Sequence, residues 1–297
     1  MSTPVFRFAP TPNGQLHLGH AFSAMANFAR ARETGGNFLV RIEDIDLARA
    51  EPEHERAIYR DLAWLGLDWE TPVRRQSDHL DAYRDALARL DAMGLVYPAF
   101  LSRGEVRERI VALEADGTPW PRDPDGAPLY PGPEKAMPVS MRRAAMADGR
   151  PFAWRLDMEA AVAASGHRLA WTENGFGPRG ETGSIAANPS AWGDVVVGRK
   201  DAPGSYHLAV VIDDAAQRVS EIVRGRDLFH ATSVHRLLQT LLGLPEPAYR
   251  HHRLVLAPDG RKMSKSRGDS GVAALRESGL DAERVLQMAG WPDFRNE

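Results

Sequence analysis

The stretch VFRFAPTPNGQLHLGH, residues 5–20, decides the fold that the rest of the chain follows. Its first residues are typical of a short buried strand, and a turn rich in proline and glycine comes next. The following HAFSAMANFARARETGG, residues 20–36, has the apolar spacing of a helix that ends in glycine. NFLVRIEDID, residues 37–46, predicts a second buried strand. This order predicts a βαβ unit with parallel strands and a right-handed crossover.

The remaining chain extends the same pattern and then interrupts it. Two amphipathic helices are predicted at residues 53–66 and 79–94, and a loop-rich stretch dense in proline and glycine lies at residues 117–138. FAWRLD, RLAWT and WGDVVVGRK predict short strands, and the α/β pattern resumes with YHLAVVIDD and EIVRG. We therefore predict the α/β fold class, with a doubly wound parallel sheet, a loop-rich insertion and a short helical C-terminal tail.

Composition excludes several classes of protein. The chain has 297 residues, 43% hydrophobic and 26% charged, which is typical of a globular protein. No apolar run approaches the roughly eighteen residues of a membrane span, so a cytoplasmic protein with no membrane partner is expected. There is no cysteine, which excludes disulfides, thiolate catalysis and cysteine-bound zinc. The net charge of −3 does not favour or exclude a nucleic-acid partner.

The turn between the first strand and helix predicts an anion site. Exposed backbone amides and the positive end of the helix dipole favour phosphate there, and Gly14 and Gly19 leave the backbone open to a ligand. His17 and His20 share a face of the first helical turn, where both can donate to phosphate oxygens. The alternative is a Pro/Gly turn with two surface histidines.

A second cationic segment, GRKMSKSRGD at residues 260–269, has the composition of a polyphosphate-binding loop. Its four cations and two serines can surround a polyphosphate and neutralise charge that develops in a transition state. Taken alone, the run is more typical of a solvated basic loop.

HLGH at residues 17–20 together with KMSKS at residues 262–266 resembles the signature pair of class I aminoacyl-tRNA synthetases. RFAPTPNGQLHLGHA, FLVRIEDID, DLAWLGLDW, SYHLAVVIDD and EIVRGRDL resemble the catalytic domain of glutamyl-tRNA synthetases over nearly the whole chain. The resemblance implies a Rossmann-type core and a ligase that activates an amino acid with ATP and passes it to RNA. We expect residues 1–98 and 191–249 to form the two halves of the catalytic domain, 99–190 the insertion, and 250–297 the KMSKS loop and tail.

The residues also suit an acidic amino acid. Arg7 and Arg224 stand at predicted strand ends and can form bidentate pairs with carboxylates, while Glu43 can hold the ammonium. The alternative is an interior ion pair, such as Arg7 with Glu43. The resemblance implies a wider glutamate site: Arg7, Phe8, Ala9, Pro10, Thr11, Glu43, Tyr206 and Arg224.

The resemblance further implies an in-line attack of the glutamate carboxylate on the α-phosphorus of ATP. In that reaction His17 and His20 stabilise the α-phosphate, Lys265 stabilises the departing pyrophosphate and Mg²⁺ bridges its oxygens. The implied ATP site consists of Gly14, His17, Gly19, His20, Lys262, Met263, Ser264, Lys265 and Ser266.

The short stretch after the KMSKS segment bears on the acceptor. Residues 267–297 leave no room for an anticodon-binding domain, which predicts a truncated relative. The resemblance implies that such a relative attaches glutamate to the modified base queuosine in the anticodon loop of tRNA(Asp), and we expect that tRNA as partner of a monomeric enzyme. The alternatives are a minimal glutamyl-tRNA synthetase that charges a tRNA 3′ end, a regulatory glutamate-binding paralogue and a small nucleotidyltransferase.

Several residues have other interpretations. Many relatives bind zinc through cysteines of the insertion, but Ala99 and Leu101 stand in that pattern here. We therefore expect packing around Tyr97, Phe100, Leu101 and Tyr130 to hold the insertion together. His251 and His252 lie in a predicted strand and should face opposite sides, one partly buried and one on the surface. Asp213 and Asp214 can bind Mg²⁺, contact a ribose or cap a turn.

Overall fold

The computed structural model describes residues 3–166, 168–199, 202–257, 259–261, 263 and 271–291. The strands are β1 Val5–Phe8, β2 Asn37–Ile42, β3 Glu70–Arg75, β4 Val96–Ala99, β5 Ala153–Leu156, β6 Ala170–Glu173, β7 Gly183–Ala186, β8 Val196–Gly198, β9 Glu221–Gly225 and β10 Ala248–His252. The α-helices are α1 Leu18–Thr34, α2 Pro52–Trp64, α3 Leu80–Ala92, α4 Arg103–Leu113, α5 Val139–Ala147, α6 Met158–Ser165, α7 Tyr206–Ala216, α8 Thr232–Leu242, α9 Val272–Glu277 and α10 Ala282–Met288.

The strands of the catalytic core are mostly parallel, which confirms the predicted α/β class. β1, β2 and β3 form one parallel sheet, and β9, β10 and β6 form another, to which β7 is added antiparallel. β1 lies beside β9, where the Ser220 amide donates to the Val5 carbonyl at 3.0 Å. The predicted βαβ unit is β1, α1 and β2, with Val5 paired to Asn37.

Alternation along the strands sends apolar and charged side chains to opposite faces. Phe6 and Phe8 of β1 enter a hydrophobic core with α1, whereas Arg7 faces α7 on the other side. β2 repeats the arrangement, with Val40 and Ile42 in that core and Arg41 directed to α7. Because side chains alternate along a strand, Arg7 and Arg41 lie buried on the face of the sheet opposite to the apolar residues.

The insertion has a separate small sheet. β4 and β8 flank β5 in antiparallel order, and a cluster that contains Tyr97 and Tyr130 lies next to it. The Tyr97 hydroxyl donates to Asp194 at 2.6 Å, and Arg155 lies 3.8 Å above the Tyr130 ring. These contacts agree with an insertion stabilised by packing and polar contacts.

Strand pairing also bears on the extent of the insertion. β6 lies within residues 99–190 but pairs with β10 of the core, whereas β8 lies outside that range and pairs with β5. The division of the chain at residues 98, 190 and 249 therefore stays a proposal. In the described part of the chain, no helix is both long and apolar enough to cross a membrane.

Candidate active site

A cavity of about 850 Å³ opens at the carboxyl ends of β1 and β9. It brings together most of the residues that the sequence predicted for glutamate and ATP, although they lie far apart along the chain. Its lining includes Arg7, Phe8, Ala9, Pro10, Thr11, Gly14, His17, Gly19, His20, Glu43, Tyr206, Arg224 and Met263. Lys262, Ser264, Lys265 and Ser266 lie outside the described residues, so their roles stay predictions.

The start of α1 fixes the two histidines at the mouth of this cavity. His17 is the N-cap of α1, and its Nδ1 accepts from the Gly19 amide at 3.1 Å, while Nδ1 of His20 accepts from the His17 amide at 3.1 Å. The rings stack with their centroids 3.7 Å apart. Because each Nδ1 is an acceptor, the proton of each neutral imidazole lies on Nε2, which becomes a donor suited to a phosphate oxygen.

Gly19 leaves room for this stacked pair. A Cβ at residue 19 would lie 3.0 Å from Cε1 and 3.2 Å from Nδ1 of His17. Both distances are shorter than ordinary van der Waals contact, so a side chain would displace the His17 ring from its capping position. The absence of a side chain at residue 19 therefore leaves space for the His17 ring and also keeps the backbone of the turn accessible to a ligand.

Arg7 is held by a buried ion pair. Its Nε and Nη2 donate to the two carboxylate oxygens of Asp214 at 3.0 and 3.4 Å. Asp214 also accepts from Arg41 at 2.7 Å. Burial raises the pKa of the Asp214 carboxyl, but Arg7 and Arg41 outweigh it and hold that pKa below its usual value. Asp214 is therefore ionised at neutral pH, and its charge is shared by two guanidinium groups.

Glu43 lies on the same side of the cavity and pairs with Arg41, not with Arg7. The Arg41 Nη2 donates to its Oε1 at 3.2 Å. Burial raises the pKa of the Glu43 carboxyl, against the opposing effects of Arg41 and Arg7. Arg7 and Glu43 therefore do form interior ion pairs, as the alternative expected, but their partners are Asp214 and Arg41 and not each other.

The carboxylates of Asp213 and Asp214 are buried and engaged by core residues, which is none of the three roles considered for them: Mg²⁺ binding, ribose contact and turn capping. Asp213 is fully buried and accepts from Arg74 at 2.8 Å, Gln76 at 3.0 Å and the Tyr83 hydroxyl at 2.8 Å. Sequence reasoning missed Arg41 as their partner. The available signal was a single arginine inside the apolar run FLVRI, because burial of a guanidinium is costly unless it is paired.

The expectation that one of His251 and His252 lies on the surface is wrong. The two side chains do face opposite sides of β10, but they are 2% and 5% exposed. His251 contacts Glu173 and Arg224, while the ring of His252 meets Phe22 of α1 edge-on. Both faces of β10 are covered, which the pattern of a single strand does not reveal.

The cavity is also lined by residues that the sequence did not single out for it: Asn13, Ser23, Arg49, Asp227, His252 and Arg253.

Comparison with known proteins identifies the family of the chain. The family model described as tRNA synthetases class I (E and Q), catalytic domain, matches residues 5–155 and 180–290. The chain therefore belongs to this family of ligases.

Particular relatives are similar over nearly the whole chain. A glutamyl-Q tRNA(Asp) synthetase of Rhodobacter capsulatus is 42% identical, covering 96% of this chain and 99% of that protein. A glutamyl-Q tRNA(Asp) synthetase of Symbiobacterium thermophilum is 38% identical, covering 94% of this chain and 83% of that protein. The crystal structure of a glutamate-tRNA synthetase from Elizabethkingia anophelis has a TM-score of 0.78 at 24% identity, covering 98% of this chain and 61% of that one, and it supports the fold.

Proposed function

We propose that this chain activates L-glutamate with ATP and transfers the glutamyl group to queuosine in the anticodon loop of tRNA(Asp), in the cytoplasm and as a monomer. The observation that carries the proposal is the 42% identity to a glutamyl-Q tRNA(Asp) synthetase over 99% of that protein. The cavity supports it, because Arg7, Arg224, Glu43 and the stacked histidine pair line one space.

In the first step, a glutamate carboxylate oxygen attacks the α-phosphorus of ATP and the bond to pyrophosphate breaks. Arg7 and Arg224 bind carboxylate groups of the substrate, and Glu43 accepts from its ammonium. His17 and His20 donate from Nε2 to the α-phosphate as charge grows on it, and Lys265 stabilises the leaving pyrophosphate. In the second step, a nucleophile of the queuosine base attacks the glutamyl carbonyl and AMP leaves.

Mg²⁺ in this proposal belongs to the nucleotide. Among the residues that the structure describes, no group of three or more histidine and acidic side chains is placed to hold a metal ion. Mg²⁺ usually keeps several waters and binds through substrate phosphates, so it fits the polyphosphate of ATP without a dedicated protein cage. Its contribution there is neutralisation of phosphate charge.

The test is ATP-dependent transfer of labelled glutamate to two tRNA(Asp) preparations, with and without queuosine, both trimmed of the 3′-terminal adenosine. The proposal expects label only on the queuosine-containing RNA. Label that appears on neither preparation but returns when the terminal adenosine is restored would instead show a minimal glutamyl-tRNA synthetase.

A further inference from the structure

Arg224 differs from Arg7 in the kind of group that surrounds it. Its Nε donates to His251 Nε2 at 3.1 Å, and its Nη2 donates to Thr232 Oγ1 at 2.8 Å and to the Leu228 carbonyl at 3.2 Å. Its Nη1 lies 3.4 Å from the Tyr206 hydroxyl and 3.2 Å from His235 Nδ1. None of these contacts is with a carboxylate, so the charge of this 5% exposed guanidinium is not neutralised as that of Arg7 is.

Glu173 determines which nitrogen of His251 carries the proton. One oxygen of Glu173 accepts from the backbone amides of His251 at 2.8 Å and Gly175 at 2.9 Å. The other lies 2.6 Å from His251 Nδ1 and accepts from Trp171 Nε1 at 3.3 Å. A carboxylate surrounded by N–H donors is ionised and acts only as an acceptor, so the proton of His251 lies on Nδ1. The lone pair of Nε2 then faces the Nε–H of Arg224.

The opposite tautomer would break this arrangement. With a proton on Nε2, two N–H donors would face each other at 3.1 Å, and the guanidinium would have to move. Burial lowers the pKa of His251 to about 4, against the opposing effect of Glu173, which agrees with a neutral acceptor at physiological pH. Glu173 lies at the end of β6 and His251 on β10, so the parallel pairing of these strands brings the two groups together.

We propose that Glu173 and His251 are positioning residues for Arg224, whose contacts described above include no carboxylate. They orient its guanidinium group towards the substrate carboxylate. Glu173 fixes the tautomer of His251, and Nε2 of His251 fixes the rotation of the guanidinium within the cavity wall. The inference rests on the proposed function, in which Arg224 binds glutamate. It predicts that loss of either residue weakens glutamate binding specifically, while ATP binding and the chemical step remain.

The experiment is glutamate-dependent exchange of pyrophosphate into ATP by the full chain. His251→Leu removes the acceptor and is expected to raise the KM for glutamate about tenfold to a hundredfold, with the KM for ATP within about twofold. Glu173→Gln presents an amide N–H to groups that are themselves donors, so it is expected to give the same pattern. His251→Gln places an amide oxygen near the position of Nε2 and is expected to recover most of the loss. Tyr97→Phe removes a buried hydrogen bond in the small antiparallel sheet, which is separate from the sheet that bears Arg224. It should leave the KM for glutamate, the KM for ATP and kcat within about twofold of the wild-type values.

Each outcome decides the inference. It is overturned if His251→Leu and Glu173→Gln leave the KM for glutamate unchanged, if kcat falls with both KM values unchanged, or if His251→Gln is as impaired as His251→Leu. If His251→Leu does not fold, Glu173→Gln and His251→Gln supply the same comparison. A wild-type chain without exchange would refute the proposed function instead, and calorimetric titration with glutamate alone would then compare its affinity for wild type and variants.

Discussion

Asp214 is the residue whose charge the buried network most requires. Its carboxylate is 3% exposed and lies 3.0 Å from Arg7 Nε and 2.7 Å from Arg41 Nη1. Asp214→Asn keeps the shape of the side chain but removes the negative charge, which leaves two buried guanidinium groups with less compensation. Because loss of one partner from a buried ion pair costs about 3–5 kcal/mol, the free energy of unfolding should fall by about that amount.

Thermal and chemical unfolding measure this loss. For a chain of this size about 1 kcal/mol corresponds to about 2–4 °C, so Tm should fall by about 6–20 °C. Asp46→Asn is a matched control, since Asp46 also contacts two arginines, Arg49 at 3.8 Å and Arg199 at 3.3 Å, but is 22% exposed. The free energy of unfolding of the Asp46→Asn variant should fall by less than about 1 kcal/mol. Equal effects of the two substitutions would refute the argument that burial makes Asp214 indispensable.

Three further predictions concern activity and pH. Arg224→Ala should raise the KM for glutamate at least about tenfold in pyrophosphate exchange, and an unchanged KM would contradict carboxylate recognition. Lys265→Ala should lower kcat about a hundredfold or more with glutamate binding unchanged, whereas an equal loss of binding would contradict its role with pyrophosphate. Burial lowers the pKa of His207, His251 and His252 to about 4, below the value of about 6.5 in the unfolded chain. The unfolded state therefore binds more protons between these pH values, so the free energy of unfolding should decrease towards pH 4 by up to about 3 kcal/mol per histidine. The urea midpoint should accordingly be level above about pH 6.5 and fall towards pH 4. A midpoint that rises on acidification would disprove the assignment.

The sequence predicted the cavity lining better than it predicted the support behind it. The strand-to-helix turn with His17 and His20 carries its own local signals, and its surroundings follow from the parallel order of β1 and β2. Arg7 has its partner Asp214 more than two hundred residues further along the chain. Arg224 has its partner His251 on a different strand, and His251 in turn contacts Glu173 on a third strand. Periodicity describes one element at a time and contains no information about such contacts.

The element that supplies Asp214 illustrates the same limit. The sequence pattern predicts only that the α/β order resumes with YHLAVVIDD. In the structure this stretch is the start of α7, Tyr206–Ala216. The inner face of this helix bears Asp213 and Asp214 because it covers the arginines of β1, β2 and β3. A burial pattern of this kind becomes interpretable only when the facing strands are known.

The long separation between Arg7 and Asp214 has a consequence for synthesis of the chain. The ribosome releases β1, α1 and β2 early, and these elements have the local contacts to pair at once. Asp214, the carboxylate that pairs with both Arg7 and Arg41, is added only when 214 of the 297 residues have been made. Until then Arg41 has Glu43 as a nearby carboxylate, but Arg7 lacks its Asp214 partner, so the face of β1 and β2 that bears these arginines can be buried only at a large cost. Completion of the cavity that Arg7 and Tyr206 line is thus delayed until translation has delivered α7.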